Sequence, residues 1–198
     1  GLGHLYAARP TPRGTMLATL CENGGKPLGL LEVDAGGRRL WHYAWPEGRD
    51  DIRYFRAAHL LDNDHLLVAG LVGSAPGTGF ENALLLELDR GGREVRRLSL
   101  GPVPFLGAIR PLPGDRILVE GTEVYELDWE GTRHVVLPKK SETWYHDALK
   151  LPDGRYVVAE TARRVVCMRA TGEEDWEAWH AKPVFLQLLP RNGVLAGG

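Results

Sequence analysis

A histidine and an aspartate stand side by side at positions 146 and 147, and they are the most obvious candidates for chemistry in this sequence of 198 residues. An imidazole changes its charge near neutral pH, so His146 is a candidate for proton transfer. Neighbouring side chains of a β-strand point to opposite faces, however, and the two residues would then not share one cavity. The alternative is a structural histidine that is hydrogen-bonded to a loop carbonyl.

Two arginines form a second candidate site. Arg53 and Arg56 lie on either side of Tyr54 in the string DDIRYFRAAH (50–59). Guanidinium groups bind carboxylate, sulfate or phosphate through paired hydrogen bonds, so this segment could form a cationic rim. The alternative is a solvated surface in which the arginines pair with Asp50 or Asp51.

Aromatic residues form a third group of candidates, because they can stack on sugars or on aromatic peptide side chains. Trp144 and Tyr145, in the string SETWYHD (141–147), are the pair that we expect to face a ligand. Trp41 and Trp176 occupy matching places in a repeat described below. We expect these two indoles to pack between structural units.

Other familiar signatures are missing from the sequence. The seven histidines form no HxH or HExxH string, and no cysteine spacing is typical of zinc. Cys21 and Cys167 lie in apolar, strand-like segments, which predicts two buried free thiols. The loop 71–82 contains GSAPGTG but lacks the GK[ST] ending of a phosphate-binding loop. We therefore predict no metal and no cofactor.

Composition narrows the class of protein. Apolar residues make up 43% and charged residues 25%, which is typical of a packed globular domain. The net charge of −2 argues against a broad nucleic-acid surface. No apolar run is long enough to span a bilayer. The chain begins at Gly1 without Met, so a leader or a longer N-terminal portion could have been removed. Removal of a leader would slightly favour an extracytoplasmic location, and the compartment stays open.

The elements that must position these residues recur along the chain. An apolar stretch, a turn and a second apolar stretch appear at 7–19, 58–70, 108–121, 147–160 and 186–198. A second element of the same kind follows the first four copies, at 28–43, 83–98, 122–137 and 164–179. Its turns align a glycine at Gly37, Gly92, Gly131 and Gly172. Each element predicts a β-hairpin.

One repeat is therefore two hairpins, or four short strands, and such units are typical of the blades of a β-propeller. We expect the blades to share a core that includes Leu30, Leu31, Val33, Leu84, Leu86, Leu88, Leu118, Val119, Val157 and Val158. The opening strand of each blade should line a central channel. The position just before that strand carries Tyr6, Arg56, Gly107, His146 and Val184.

The strings LLEVDAGGRRLWHY (30–43) and VCMRATGEEDWEAW (166–179) resemble the repeat of PQQ-like, quinoprotein-type propellers. The string WYHDALKLPDGRYVVAE (144–160) also resembles arylsulfotransferase-type and NHL-type propeller repeats. The resemblance implies an all-β propeller of four-stranded antiparallel blades. It also implies that His146 could face the channel, where it would transfer a proton or bind an anion. It does not imply bound PQQ.

The repeats number about four and a half, at 4–55, 56–106, 107–145, 146–185 and 186–198, the last of them partial. A half blade would leave an exposed sheet edge. The chain could be a fragment of a larger propeller, or one hairpin could complete the ring of another copy in a homo-oligomer. A four-bladed ring with one decorating hairpin is the third possibility.

The favoured function is that of a non-enzymatic binding or scaffold propeller that recognises a peptide, a carbohydrate or a protein partner on one rim. Trp144, Tyr145, Arg53 and Tyr54 are its candidate ligand-binding residues. The alternative is an enzyme of the sulfotransferase, lactonase or lyase kind, with its active site in the channel. His146 and Arg56 are the candidate catalytic residues of that alternative.

Overall fold

The described part of the chain is built from β-strands. The computed structural model describes residues 4–22, 26–49, 52–73, 81–138, 143–161, 164–169, 171–179, 185–189 and 193–197. These ranges contain eighteen strands and no helix, and hence no helix that is long and apolar enough to cross a membrane. The loop string GSAPGTG lies mostly outside them. The chain divides into two compact units, Gly1–Val103 and Pro104–Gly198.

The first unit contains two four-stranded sheets. Each is an antiparallel meander in which the strands pair in chain order. The strands of the first sheet are β1 (His4–Pro10), β2 (Met16–Cys21), β3 (Pro27–Val33) and β4 (Arg39–Ala44). Those of the second sheet are β5 (Tyr54–Leu60), β6 (Leu66–Val72), β7 (Glu81–Leu88) and β8 (Glu94–Val103).

The second unit repeats this arrangement twice and adds a hairpin. The third sheet contains β9 (Leu106–Leu112), β10 (Arg116–Gly121), β11 (Val124–Leu127) and β12 (Arg133–Leu137). The fourth contains β13 (Tyr145–Lys150), β14 (Tyr156–Glu160), β15 (Arg164–Met168) and β16 (Glu174–Trp179). The two-stranded sheet pairs β17 (Phe185–Leu189) with β18 (Gly193–Gly197). The predicted four-stranded units are confirmed.

The turn between the third and fourth strands is built around an aspartate in three of the sheets. The Oδ1 atom of Asp34 accepts backbone hydrogen bonds from the residues two and four places later, at 3.0 and 2.9 Å. Gly37 then takes a φ of 80°, which glycine adopts without strain. Asp89 and Asp128 repeat this pattern. Arg169 replaces the aspartate in the fourth sheet, where the turn has backbone hydrogen bonds from Arg169 to Glu173 and from Gly172 to Arg169, and an Arg169–Glu173 ion pair at 3.4 Å.

The core lies between neighbouring sheets of each unit. Eight of the ten apolar residues that we predicted for it are buried, whereas Leu31 and Val33 are half-buried. In the first unit, Leu30 and Leu86 belong to one cluster that joins both sheets. In the second unit, one cluster contains Leu118 of the third sheet together with residues of the fourth. Burial of each such side chain is worth about 1.5–3 kcal/mol.

Trp41 packs between sheets as predicted, but Trp176 does not. The indole N–H of Trp41 donates to the backbone carbonyl of Arg90, in the turn between β7 and β8 of the second sheet, at 3.2 Å. The guanidinium of Arg90 also lies 4.5 Å from the centre of the indole ring. Trp176 lies on β16, all of whose residues are exposed, and it is itself 42% exposed. The packing expected for Trp176 is therefore wrong for the described residues.

Three glutamates are buried at matching positions of the third strands, a feature that the sequence analysis missed. They are Glu32, Glu87 and Glu126. Glu32 accepts a hydrogen bond from the Thr15 hydroxyl at 2.5 Å and forms an ion pair with Arg90 of the neighbouring sheet. Burial alone would raise the pKa of Glu32, but these hydrogen bonds outweigh it and lower the pKa. The glutamates are therefore charged members of the core.

Both cysteines are buried free thiols, which confirms that prediction. Burial raises the pKa of Cys21 to about 11, so this thiol stays protonated and unreactive at neutral pH. Burial also raises the pKa of Cys167. Cys167 occupies the place in the fourth sheet that the buried glutamates occupy in the first three.

Candidate functional site

The residues that we placed just before the opening strands lie inside those strands, at irregularities of the pairing. Tyr6, Arg56 and His146 are each an extra residue between two paired neighbours. Gly107 lies in the matching irregularity of β9, and Val184 lies outside the described residues. Such β-bulges re-aim side chains and are common beside functional sites. The first strand of each four-stranded sheet therefore carries one residue at a bulge, where a side chain is aimed differently from those of its neighbours.

In the first unit, two of these bulge residues contact each other. The Nη1 atom of Arg56 donates to the hydroxyl of Tyr6 at 2.8 Å. This contact joins the first strands of the two sheets, and the Arg56 side chain is only partly exposed. Arg53 is exposed, and it is the member of the pair that can present a guanidinium directly to solvent. Asp50 and Asp51, the alternative partners, lie outside the described residues.

Arg53 and Tyr54 line a cavity of about 600 Å³ in the first unit. The cavity lies where the β2–β3 turn meets the segment that connects β4 to β5. Its lining includes the buried apolar side chains of Trp45 and Ile52, which we call its apolar floor. Its rim carries charged residues of both signs, which are Glu22, Lys26, Glu47, Arg49 and Arg53. The two predicted ligand-binding residues of this unit are thus brought together at one cavity.

The wall of this cavity is held by several contacts. The Trp45 indole N–H donates to the carbonyl of Arg49 at 3.2 Å, and the Arg49 guanidinium lies 4.8 Å from the centre of the same indole. Trp45 also packs edge-to-face on Phe55, with ring centres 4.9 Å apart. The Arg53 N–H donates to the carbonyl of Leu71 at 2.8 Å. These contacts hold Trp45 and Arg53 in place at the cavity.

In the second unit, the structure separates the two aromatic residues that we had grouped. Trp144 is 47% exposed, as expected for a ligand-facing indole. Tyr145 is fully buried, and its hydroxyl donates to the carbonyl of Pro138 at 3.3 Å. Burial raises the pKa of Tyr145 to about 12. Tyr145 is therefore a core residue and has no place in an exposed aromatic patch.

The partner of Trp144 is Phe105, which the sequence analysis missed. The Phe105 and Trp144 rings are stacked at 20°, with centres 5.0 Å apart. Phe105 and His146 meet edge-to-face, with centres 5.5 Å apart. The sequence does contain a pattern that points to Phe105. In each of the four described bulges, the residue two places earlier is aromatic or a histidine. These residues are His4, Tyr54, Phe105 and Trp144.

His146 is therefore part of an aromatic cluster. Burial lowers its pKa, and the charge of Asp147 only partly offsets this effect. The imidazole is consequently neutral at neutral pH, with one nitrogen as donor and the other as acceptor. Asp147 points elsewhere and pairs with Arg110, so the two neighbours do not share one site, as strand alternation predicts.

Gly107 permits the close approach of β9 and β13 that creates this cluster. A Cβ atom added at Gly107 would lie 2.4 Å from the carbonyl oxygen of Tyr145 and 3.0 Å from that of His146. Both distances are shorter than ordinary van der Waals contact, and the first is one that real Cβ atoms essentially never show. The missing side chain at position 107 therefore sets the distance between Phe105 and the residues that it contacts.

We expect Gly107→Ala to destabilise the protein by about 1–3 kcal/mol, because overpacking forces the two strands apart. Urea unfolding followed by far-UV circular dichroism will measure the loss, and near-UV circular dichroism will report the disturbed ring stacking. Gly91→Ala is the matched control, since its added Cβ comes no closer than 3.3 Å to a side-chain oxygen of Asp89. Equal unfolding midpoints for the two variants would contradict the packing role of Gly107.

Metal ligands do not assemble in the part of the chain that the structure describes. No three histidine, cysteine, aspartate or glutamate side chains among these residues are placed to hold one ion. Arg56 and His146, the two candidate catalytic residues, belong to different units.

No protein-family model and no curated protein match this sequence. Several solved structures, however, are similar to this chain. A protein of unknown function from Bacteroides caccae is 18% identical, with 90% of this chain and 61% of that one aligned and a TM-score of 0.59. A streptogramin B lyase is 9% identical over 98% and 83% of the two chains, with a TM-score of 0.60. The WD40 propeller domain of Doa1 is 9% identical over 93% and 57%, with a TM-score of 0.59.

The chain has a β-propeller fold. Each four-stranded sheet is one blade, and the described residues include four such blades and one two-stranded sheet. The chain spans about three fifths of the length of the Bacteroides caccae protein. The matched propellers include a lyase and a WD40 domain, so the fold itself does not distinguish catalysis from binding.

Proposed function

We propose that this chain is a non-enzymatic binding propeller that holds a peptide segment of a partner protein in the cavity of the first unit. The observation that carries the proposal is the cavity itself. Its volume of about 600 Å³ falls within the range of about 300–1,000 Å³ that is typical of ligand pockets. The strings 30–43 and 166–179 resemble the PQQ-like propeller repeat. That repeat also occurs in many propellers that bind no quinone, so the resemblance is compatible with a protein that binds a peptide.

The lining of the cavity favours a peptide. Trp45 and Ile52 offer an apolar floor for one buried side chain, and such anchors dominate the energy of protein interfaces. Glu22 and Lys26 lie on the rim with their charged atoms 4.0 Å apart, and Arg53 adds a further, exposed cation. A rim that carries both positive and negative charges can pair with the charged side chains of a peptide, while an apolar side chain of the same peptide occupies the floor.

The enzyme alternative receives no specific support from the geometry. Arg56 donates to the Tyr6 hydroxyl, and His146 packs against the edge of Phe105. The Tyr6 contact accounts for Arg56 inside the protein, and His146 lies beside an aromatic ring rather than beside a second acid–base group. Binding at the rim accounts for Arg53, Tyr54 and the apolar floor together.

A charge reversal on the rim tests this proposal. Peptides selected on the wild-type protein from a random phage-displayed library will be synthesised, and their binding will be measured by isothermal titration calorimetry. We expect Arg53→Glu to weaken binding about tenfold, which corresponds to about 1.4 kcal/mol. Tyr54→Ala should weaken it by a similar factor through lost packing.

Arg38→Glu is the matched control. It makes the same charge change in the first unit, on the turn between β3 and β4, where the Arg38 side chain is 79% exposed. Binding by this control should equal that of the wild type. The proposal is wrong if no peptide is selected, or if the Arg53 and Arg38 variants bind the selected peptides equally well.

A further inference from the structure

The second unit carries an aromatic surface that is separate from the cavity of the first unit. We call Phe105, Trp144 and His146 the aromatic platform. The Trp144 indole is 47% exposed and stacks on Phe105, and His146 meets the same phenyl ring edge-on. An exposed, supported indole next to a neutral imidazole is a place where a flat ligand can stack.

The platform is fixed in position by the backbone. The N–H of Trp144 donates to Oγ1 of Thr161 at 3.1 Å. The Trp144 carbonyl accepts from the N–H of Thr161 at 2.9 Å and from its hydroxyl at 2.8 Å. The absence of a side chain at Gly107 lets β9 lie close to the backbone of Tyr145 and His146. The hydrogen bonds with Thr161 hold the backbone of Trp144, and stacking on Phe105 limits the motion of its indole, which favours affinity.

These same hydrogen bonds restrict the kind of ligand. An extended peptide that adds to a sheet gains affinity by pairing with free backbone N–H and C=O groups. Both backbone groups of Trp144 are already used by Thr161. A ligand at this place must therefore bind through the ring face and through side-chain groups.

We propose that the aromatic platform binds the face of a sugar ring in a neutral carbohydrate. The C–H bonds on one face of a pyranose carry partial positive charge, and the face of an indole is negative. The hydroxyl groups at the edge of the sugar both donate and accept hydrogen bonds. A neutral imidazole offers one donor and one acceptor, so His146 matches them. This site goes beyond the peptide cavity and does not depend on it.

Neutral oligosaccharides test this inference directly. Maltohexaose, cellohexaose, xylohexaose and mannohexaose will be titrated into the full chain by isothermal titration calorimetry. We expect at least one of them to bind the wild type with a dissociation constant below one millimolar. Trp144→Ala should weaken that binding about tenfold, whereas Trp144→Phe should weaken it less because a ring remains.

Trp179→Ala is the matched control, since Trp179 is 71% exposed on β16 of the same unit and is not part of the platform. It should bind the oligosaccharide like the wild type, and all three variants should keep the wild-type circular dichroism. The inference is overturned if the wild type binds none of the four sugars, or if Trp179→Ala loses as much affinity as Trp144→Ala. A third outcome would also overturn the inference. In it, the wild type binds a selected peptide but none of the sugars, and Trp144→Ala no longer binds that peptide.

Discussion

Asp147→Ala should destabilise the second unit by about 3–5 kcal/mol, the largest effect that we expect from any single substitution. The Asp147 side chain is fully buried. It accepts two hydrogen bonds from the Arg110 guanidinium, at 3.1 and 2.8 Å, and one each from the backbone N–H groups of Leu186, at 2.8 Å, and Ala148, at 3.0 Å. Asp147 thus joins the first strands of three consecutive sheets, β9, β13 and β17.

The expected loss of stability is large because the substitution leaves a buried positive charge and a buried backbone N–H without the carboxylate. The Arg110 side chain is only 17% exposed, so its positive charge would stay largely buried without its carboxylate. The N–H of Leu186 would also lose its acceptor. An unpaired buried charge costs far more than the net worth of the original pair.

Equilibrium unfolding in urea, followed by circular dichroism, measures this loss. The double variant Arg110→Met with Asp147→Leu removes both charges and fills similar volume, so it should restore most of the lost stability. The buried ion pair would not be the cause if the double variant were as unstable as Asp147→Ala. A loss below about 1 kcal/mol in the single variant would equally contradict its role.

The second large effect is expected for Glu126→Gln, with a loss of about 3 kcal/mol at neutral pH. The Glu126 carboxylate is buried on β11 and accepts hydrogen bonds from Lys150 and Tyr156 of the fourth sheet, each at 2.6 Å. Arg116 donates to its other oxygen at 2.5 Å. A glutamine has one acceptor oxygen, and its amide group would face the remaining donors.

The same carboxylate makes stability depend on pH. Burial alone would raise the pKa of Glu126, but the hydrogen bonds from Lys150 and Tyr156 outweigh it and hold the pKa below its usual value of 4.5. A group whose pKa is lower in the folded state stabilises the protein above its unfolded pKa. This stabilisation is lost as the pH falls below 4.5 through the folded pKa.

Unfolding free energies measured between pH 7 and pH 3 test both statements. The wild type should lose stability below pH 4.5 more steeply than Glu126→Gln, because the variant has no carboxylate left to protonate at this position. Glu130→Gln is the control, since Glu130 is exposed on the neighbouring turn, and its effect should stay below about 0.5 kcal/mol. Parallel pH profiles for the wild type and Glu126→Gln would exclude this role of Glu126.

The strands and turns could be predicted because their causes are local. Alternating apolar residues define a strand with one buried face, and aspartate and glycine define the turn that follows. Asp34 and Gly37 illustrate this, since their turn contacts lie within four residues of Asp34. The fold class followed from the repetition of such elements.

The candidate site was predicted only in part. Arg53 and Tyr54 do line one cavity, and Trp144 is exposed next to His146. Tyr145 was wrongly grouped with Trp144, because neighbouring residues alternate between the two faces of a strand and Tyr145 takes the buried one. The exposed indole instead stacks on a ring that lies 39 positions earlier in the chain.

The sequence by itself determined the four-stranded repeats, their turns and most of the core, since each depends on residues that are close in the chain. Only the tertiary structure decided which side chains meet across sheets. Glu126 and Asp147 show this most clearly, because a lone carboxylate in a sequence is expected at the surface. Each is buried here because cations and N–H groups from neighbouring sheets compensate for the lost water.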